Sequence, residues 1–379
     1  MAALNHVNDA SKSSPQDANN ARNRAPAETT SLLEYMRSKT QVDLDSLNLD
    51  LAKELGPFAD CTSNQADSYF EFQEPSRQDL VKSSVRDAFD LLPELHGKLL
   101  PAHEDGSRED VTAEELAVEI AMTRISLTMI PLIQGRIFVM ANPSVALSTP
   151  KTVACGRRIA AIARYYEPTF DLDRLCIKVA STWEGLQACK ILGGKFGINT
   201  LATTLFTMEQ AMLAGEVGCI FVSPFVHELR VHFDESYHDK DPIFDIVLQA
   251  QKFYRQHQYA TKVKACSVVN VEEVLKLAGV DAFTIAPALL RDLAASHTAP
   301  EEVRTKSIFH AEAAENGNGK GSGPEKRPSV NKEVAWRDAY AKSDNGKGRV
   351  KTTQAIALFC EYQFLAEGVV RTVAAELDL

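Results

Sequence analysis

Eight short stretches of apolar residues, each of strand length, recur between residues 40 and 287 and are separated mostly by helix-like segments. The stretches are nearly continuous in apolar residues, which is typical of strands buried on both faces, as in a parallel sheet. The eight stretches are Thr40–Leu44, Phe58–Thr62, Arg136–Ala141, Leu175–Ala180, Ile198–Leu205, Cys219–Pro224, Lys262–Ser267 and Ala282–Pro287.

Buried strands that alternate with helices in this number predict a closed (β/α)8 TIM barrel of the α/β class. An open, doubly wound sheet is the weaker alternative, because no Gly-rich phosphate-binding turn follows the first stretch. An amphipathic helix beginning near Ser31 and an apolar-periodic segment around Ala355–Leu377 predict extra helices at both ends of the barrel.

Composition divides the chain into four parts. Residues 1–30 are polar and rich in Asn, Ala, Ser and Pro, which predicts a disordered leader. Residues 31–311 would form the barrel, followed by a Gly-, Asn- and Lys-containing flexible insert at 312–332. Residues 333–379 are predicted to form helices that pack on the barrel. Inside the barrel, the long connection 76–133 is predicted to hold at least two helices, one on each side of Pro101–Asp110.

The charge balance narrows the range of partners. The net charge is −10, whereas nucleic acid and anionic membranes both favour a basic surface, so we expect neither as a partner. No apolar stretch has the length of a membrane span, and the N-terminus lacks the apolar stretch of a secretory signal. The seven cysteines include no C-x-x-C pair, which indicates reduced thiols and a cytoplasmic protein.

Candidate chemistry follows from position, because catalytic groups in such barrels lie at the C-terminal ends of the strands. Lys178 is the most informative candidate, since apolar residues flank it on both sides and lysine is rarely buried without a partner or a purpose. Desolvation disfavours the ammonium form and favours a nucleophilic amine. The alternative is a lysine that reaches solvent or pairs with Asp45. The candidates by position are Asp45, Thr62, Asn64, Met140, Asn142, Lys178, Thr203, Thr204, Ser223 and Ser267.

The sequence around this lysine resembles the signature of the transaldolase family. Residues 176–185 read CIKVASTWEG, which is similar to the segment around the Schiff-base lysine of that family. Similar segments follow in the family's order: GIN at 197–199, TTLF at 203–206, SPFV at 223–226 and TIAPALL at 284–290. VDLD at 42–45 and DCTSN at 60–64 match more loosely. The resemblance covers about residues 40–296, with a weaker match at 333–336.

The resemblance implies an aldol mechanism that needs no metal and no cofactor. Lys178 would form an imine with a ketose carbonyl, and Asp45 would take a proton from the hydroxyl next to the bond that breaks. Thr203 would position a catalytic water, and Asn64 and Ser223 would hold substrate hydroxyls. The remaining residues assigned to the substrate pocket are Thr62, Ser267, Met140, Leu201, Phe206 and His227. His227 would serve there as a replacement acid/base, and the alternative for this residue is a surface role.

Four positions depart from the family's pattern. A glutamate that relays protons in the family aligns with Met140, and an asparagine that contacts the donor substrate aligns with Leu201. Two arginines that bind the sugar phosphate align with Glu228 and Val269. Because each charged hydrogen bond contributes about 1.5–3 kcal/mol, sugar phosphates become poor candidates and a more apolar pocket is expected.

Three functions are compatible with these residues. The first is a Schiff-base enzyme for a small carbonyl compound that is not a sugar phosphate, with a specialised biosynthetic pathway as a guess. The second is a transaldolase of the pentose phosphate pathway that transfers a dihydroxyacetone unit, for which Arg230 or Lys264 would have to replace the missing arginines. The third is a non-catalytic relative that binds a metabolite or a protein. Related enzymes form dimers or larger rings, so a homodimer is an expectation from the resemblance.

Overall fold

Eight strands pair in parallel and close into a barrel in the computed structural model, which describes residues 29–99, 111–310 and 332–379. Strands that follow one another along the chain are neighbours, and the last pairs with the first. The predicted (β/α)8 barrel is therefore confirmed. The strands are β1 (Gln41–Leu44), β2 (Cys61–Thr62), β3 (Ile137–Met140), β4 (Leu175–Ala180), β5 (Asn199–Leu205), β6 (Phe221–Pro224), β7 (Lys262–Ala265) and β8 (Ala282–Ile285).

Several strands are shorter than the apolar stretches that predicted them. The second stretch is a regular strand only in its last two residues, and Phe58 makes an isolated bridge to Ile133 instead. β7 ends at Ala265, and Ser267 adopts a left-handed backbone with φ of 60°. This conformation interrupts the pleat, so the chain leaves the sheet there.

Helices fill the connections and extend the barrel at both ends. The helices predicted near Ser31 and in the long connection 76–133 are present, while residues 101–110 lie outside the described part of the chain. The helices are α1 (Leu32–Arg37), α2 (Leu49–Leu55), α3 (Gln65–Gln73), α4 (Gln78–Leu91), α5 (Leu95–Lys98), α6 (Ala113–Leu127), α7 (Thr149–Tyr166), α8 (Trp183–Phe196), α9 (Met208–Glu216), α10 (Phe244–Gln256), α11 (Val271–Lys276), α12 (Pro287–Ala295), α13 (Pro300–Arg304), α14 (Glu333–Lys342) and α15 (Lys347–Glu376).

A buried ionic cluster fills one layer of the barrel interior. The Lys264 ammonium contacts the carboxylates of Asp43 and Asp60, at 2.9 Å for Asp60, and lies 4.6 Å and 4.4 Å from the ring centres of Phe138 and Phe221. Burial alone would lower the pKa of Lys264, but the two carboxylates raise it above its ordinary value, so this lysine stays charged. Lys264 is therefore fixed in the interior by its partners.

The long helix α15 packs across α3, α6 and the connections near the barrel mouth. Its first turn fits closely, since a Cβ atom added to Gly348 would lie 2.1 Å from the Thr207 side chain. One turn on, the buried Lys351 ammonium binds the carboxylate of Asp239 at 2.9 Å and the carbonyl of Asp241 at 2.6 Å. These contacts hold the C-terminal helix against the barrel.

The predicted leader (1–30) and insert (312–332) lie almost wholly outside the described residues. A short antiparallel pair, Thr30–Ser31 with His297–Thr298, joins the beginning of the described chain to the segment after α12. Within the described ranges, none of the helices combines the length and the apolar character that a membrane crossing requires.

Candidate active site

A cavity of about 290 Å³ opens at the C-terminal ends of the strands, where active sites of such barrels lie. Seven of the residues singled out from the sequence line it together. They come from six strands or strand ends that are far apart along the chain. These residues are Asp45, Thr62, Asn64, Lys178, Leu201, Ser223 and Ser267.

Lys178 presents an unpaired amine to this cavity. Its side chain points into the barrel because neighbouring Ile177 and Val179 pack outward into the main core between strands and helices. The residue is 6% exposed, and in the part of the chain that the structure describes no carboxylate lies within 4.0 Å of its nitrogen. Neither predicted alternative, a solvent-exposed lysine or a pair with Asp45, is seen. An enclosed amine without a partner can act as a nucleophile.

Asp45 is held by a chain of hydroxyl groups. Thr62 Oγ1 donates to Asp45 Oδ1 at 2.6 Å, and Thr62 Oγ1 lies 2.8 Å from Thr284 Oγ1. Since the single Thr62 proton is used by the carboxylate, Thr284 must be the donor in the second hydrogen bond. This arrangement fixes one carboxylate oxygen of a residue that lines the cavity, as an acid/base group requires.

The beginning of α3 places a second carboxyl group in the cavity. Asn64 caps the helix, because its side-chain oxygen accepts hydrogen bonds from Ala66 and Asp67 N–H groups at 2.8 Å and 3.1 Å. Its amide nitrogen is therefore the group left for a ligand. Asp67 completes the capping box and also lines the cavity. Burial and then the charge of Asp45 raise the pKa of Asp67 well above its usual range.

Asp67 was not among the residues proposed from the sequence. Residues 64–67 read NQAD, which is the capping-box pattern at a helix start. That pattern could have located Asp67 in the first turn after β2, although a capping role was its ordinary interpretation.

Two serines and a histidine lie at the opposite wall. Ser223 Oγ donates to Cys266 Sγ at 3.2 Å, and burial raises the pKa of that thiol to about 12. Ser267 Oγ donates to the His227 carbonyl at 3.0 Å and lies 2.9 Å from His232 Nε2. His232, which is exposed at the mouth, is thus the histidine in the cavity lining.

Four of the predicted site residues are not in the cavity lining. Met140 and Phe206 are buried behind it, in an apolar cluster that includes Phe225 and Phe359. Thr203 lies on the same face of β5 as Leu201, and its buried hydroxyl has no hydrogen-bond partner among the described residues. The fourth residue, His227, is directed away from the cavity.

His227 is held by acidic groups outside the cavity. Its Nε2 lies 3.0 Å from Glu273, and its Nδ1 lies 3.7 Å from Asp239. The ring also packs edge-on against Phe244. In this position His227 connects the loop after β6 to α10 and α11, whereas His232 has access to a ligand.

The two positions that the resemblance aligns with phosphate-binding arginines also lie outside the lining. Glu228 accepts a hydrogen bond from the Tyr237 hydroxyl at 2.8 Å, and Val269 is 44% exposed. Arg230 is paired with Asp234 at 2.7 Å. With Lys264 fixed in the ionic cluster, the described cavity lining contains no arginine and no unpaired lysine except Lys178.

Aromatic residues surround the opening of the cavity. Phe70 and Phe233, which are 53% and 45% exposed, both line it and both contact the Tyr362 ring of α15. Phe225 and Phe359 form an apolar wall deeper inside. This rim could not be predicted from the sequence pattern, because one part of it belongs to a helix far along the chain.

In the described residues no group of three or more His, Cys, Asp or Glu side chains could hold a metal ion.

The barrel and its enclosed lysine define a (β/α)8 protein with an enzyme-like site at the C-terminal face. Comparison with known proteins makes the class specific. The sequence model of the family described as transaldolase/fructose-6-phosphate aldolase matches residues 42–320. The chain belongs to this enzyme family, as the resemblance predicted.

Proteins named transaldolase are similar over most of their length. One from Histophilus somni is 33% identical over 277 residues, which is 71% of this chain and 81% of that protein. Another from Shewanella amazonensis is 32% identical over 271 residues, covering 70% and 80%. A third from Cellvibrio japonicus is 31% identical over 272 residues, covering 70% and 79%.

Proposed function

We propose that the protein forms a Schiff base between Lys178 and a small carbonyl compound that is not a sugar phosphate. The observation that carries the proposal is Lys178 itself, a residue that is 6% exposed, has no described ionic partner and lines a cavity that also contains Asp45. An enclosed lysine amine without an ionic partner is positioned to attack a carbonyl carbon.

The mechanism follows from the two groups. Lys178 Nζ attacks the carbonyl carbon, and uptake of one proton with loss of water gives a protonated imine. Asp45 then takes the proton of a hydroxyl on the carbon two positions from the imine carbon. The bond between that carbon and the carbon next to the imine carbon breaks. Its electron pair forms an enamine, with the imine nitrogen as the electron sink. The fixed orientation of Asp45 by Thr62, at 2.6 Å, supports its assignment as the base.

The other assigned residues have supporting roles in this proposal. Asn64, with its amide nitrogen unused by the helix cap, and Ser223 would hold substrate oxygens. Thr203, whose buried hydroxyl has no described partner, would position a water, since a buried polar group without a partner costs about 1–3 kcal/mol. Such a group requires an explanation, and a bound water provides one.

The cavity wall supports an apolar substrate. Leu201, Phe225 and Phe359 line the interior, and Phe70 and Phe233 surround the opening. A phosphate dianion would meet no arginine in the described lining. We therefore favour an aldehyde or ketone with few hydroxyl groups, in a specialised biosynthetic pathway.

The seven cysteines are all free thiols, six of them buried, which supports a reducing compartment such as the cytoplasm.

Borohydride trapping tests the proposal. The protein is incubated with a panel of neutral alkyl and aryl ketones and aldehydes, then reduced, and the adduct is located by peptide mass spectrometry. We expect a stable adduct on Lys178, none in Lys178→Met, and an unchanged adduct in Lys262→Met, which alters an exposed lysine at the other end of the barrel. If no compound in the panel labels Lys178 at neutral pH, the proposed function is wrong.

The second candidate is a transaldolase that acts on sugar phosphates. The names of the similar proteins, at up to 33% identity, favour it. A coupled assay with fructose 6-phosphate and erythrose 4-phosphate decides between the two. Turnover of about 1 s⁻¹ or more, which is ordinary for an enzyme, would establish this candidate and refute the argument from the missing arginines. A non-catalytic relative would show neither turnover nor adduct.

A further inference from the structure

We propose that Asp67 is a second acid/base group of this site, which gives a proton to the departing hydroxyl when the imine on Lys178 forms. The inference rests on the proposed function. Asp67 lies in the first turn of α3, and its side chain lines the cavity that contains Lys178 and Asp45.

The geometry leaves one oxygen of Asp67 available. Its Oδ2 accepts a hydrogen bond from the Asn64 N–H at 3.1 Å, as a capping box requires. Its Oδ1 has no hydrogen-bond partner among the described residues. An oxygen that faces a cavity without a protein partner can exchange a proton with a ligand.

The charges around Asp67 favour its acid form. Burial has the largest effect on its pKa, and the nearby carboxylate of Asp45 raises it further, as does Glu71 on the same helix. Lys178 and the Asn64 N–H act in the opposite direction but do not cancel this increase. Glu71 is itself paired with Arg77 at 2.8 Å. Asp67 thus combines a raised pKa with a place in the same cavity as Asp45, and two carboxyl groups in different surroundings are the usual basis for separate acid and base roles.

Lys178 Nζ adds to the carbonyl carbon, and a proton moves from nitrogen to oxygen to give a neutral carbinolamine. Its hydroxyl accepts the Asp67 proton as the carbon–oxygen bond breaks, so water leaves and a protonated imine and an Asp67 carboxylate remain. Hydrolysis runs the same step in reverse, with Asp67 recovering its proton from the attacking water.

Other proton donors in the described lining fit less well. Asp45 is needed as a carboxylate for the cleavage step. The Cys266 thiol has a pKa raised to about 12 and interacts with Ser223. His232 lies exposed at the mouth, where it is bound to Ser267 at 2.9 Å. Asp67 is the remaining neutral acid within the cavity.

The variant Asp67→Asn separates chemistry from capping. Its amide oxygen can still accept the Asn64 N–H, so the helix start is preserved while the exchangeable proton is lost. Glu115→Gln is the matched control, because Glu115 holds the equivalent capping box with Thr112 in α6, outside the cavity lining. Both variants should unfold at close to the wild-type temperature.

The decisive measurement is the rate of imine formation, followed by cyanoborohydride trapping as a function of pH. We expect Asp67→Asn to slow trapping by about 10²-fold or more and to lose the decrease in rate at high pH that deprotonation of the acid causes. Glu115→Gln should behave as the wild type. Infrared difference spectra should also show a protonated carboxyl band that is absent in Asp67→Asn.

The outcomes separate this inference from the function on which it rests. Trapping in Asp67→Asn with the wild-type rate and pH profile would overturn the role of Asp67 and leave the Lys178 chemistry standing. No adduct in the wild-type protein would overturn both. A slower rate with an unchanged pH profile would indicate a positioning effect and would also contradict proton donation.

Discussion

Two lysines are buried in the same barrel, and replacing each by methionine should change stability in opposite directions. Lys264 has two carboxylate partners, Asp43 and Asp60, and is fully buried. Lys178 is 6% exposed and has no described ionic partner. Methionine is close to lysine in length and carries no charge. The pair of variants therefore isolates the effect of the partners.

The magnitudes follow from these surroundings. Lys264→Met leaves two buried carboxylates without their cation, which costs about 3–5 kcal/mol. Lys178→Met removes a buried amine that has no hydrogen bond to a described residue, which stabilises the fold by about 1–3 kcal/mol. At about 2 °C per kcal/mol for a domain of this size, the midpoint of thermal unfolding should fall by about 6–10 °C in Lys264→Met. It should rise by about 2–6 °C in Lys178→Met.

The assay is thermal unfolding followed by circular dichroism, with urea titration to check that the slope of the transition is unchanged. Lys264→Met combined with Asp43→Asn should recover part of the loss, because only one unpaired carboxylate then remains. If Lys178→Met destabilised the protein as much as Lys264→Met does, Lys178 would have a strong native partner. The argument for a free nucleophile would then fail.

Three further predictions concern the rest of the molecule. Burial raises the pKa of Asp43 to about 6, above that of the unfolded carboxyl group, so the stability of the fold should decrease as the pH rises from about 4 to 6. A denaturant series at several pH values should show a smaller decrease in Asp43→Asn than in the wild type; the decrease should not vanish, because the pKa of Asp67 is also raised. Gly348→Ala should lower the free energy of unfolding by about 1–3 kcal/mol, because the added Cβ would lie 2.1 Å from the Thr207 side chain. Gly368→Ala in the same helix, where the nearest contact is 3.8 Å, should be neutral or stabilising in thermal melts. Phe233→Ala should raise the KM for apolar carbonyl substrates several-fold with little change in kcat, as a loss of uniform binding does; an unchanged KM would remove the aromatic rim from substrate recognition.

The barrel and Lys178 as the main candidate residue could be predicted because each depends on local pattern. Nearly continuous apolar stretches are required wherever a strand is covered on both faces, and alternation then decides which residues point inward. The strand-end rule brought Asp45, Thr62 and Ser223 to one cavity for the same reason.

The features that sequence analysis missed depend on long-range packing. Phe359 and Tyr362 reach the mouth only because α15 folds back over the barrel, about 180 residues after Lys178 along the chain. The same helix explains why Met140, which was expected in the pocket wall, does not line the cavity. Phe359 and Phe225 pack with Met140 and separate it from the cavity lining. Asp67 was missed because it belongs to a helix rather than to a strand end.

The charges of the described cavity lining connect reactivity to substrate choice. Lys178 carries the one unpaired basic group there, and Asp45 and Asp67 are the acidic residues of the same lining. A phosphate dianion would need the protonated form of Lys178 as its counter-ion, since no arginine is present in the described lining. Schiff-base chemistry needs the same nitrogen as a neutral amine. The two uses exclude each other within one cavity of about 290 Å³. If the proposed chemistry is correct, the substrate must therefore be uncharged near its carbonyl group, and binding energy has to come from the aromatic surfaces instead.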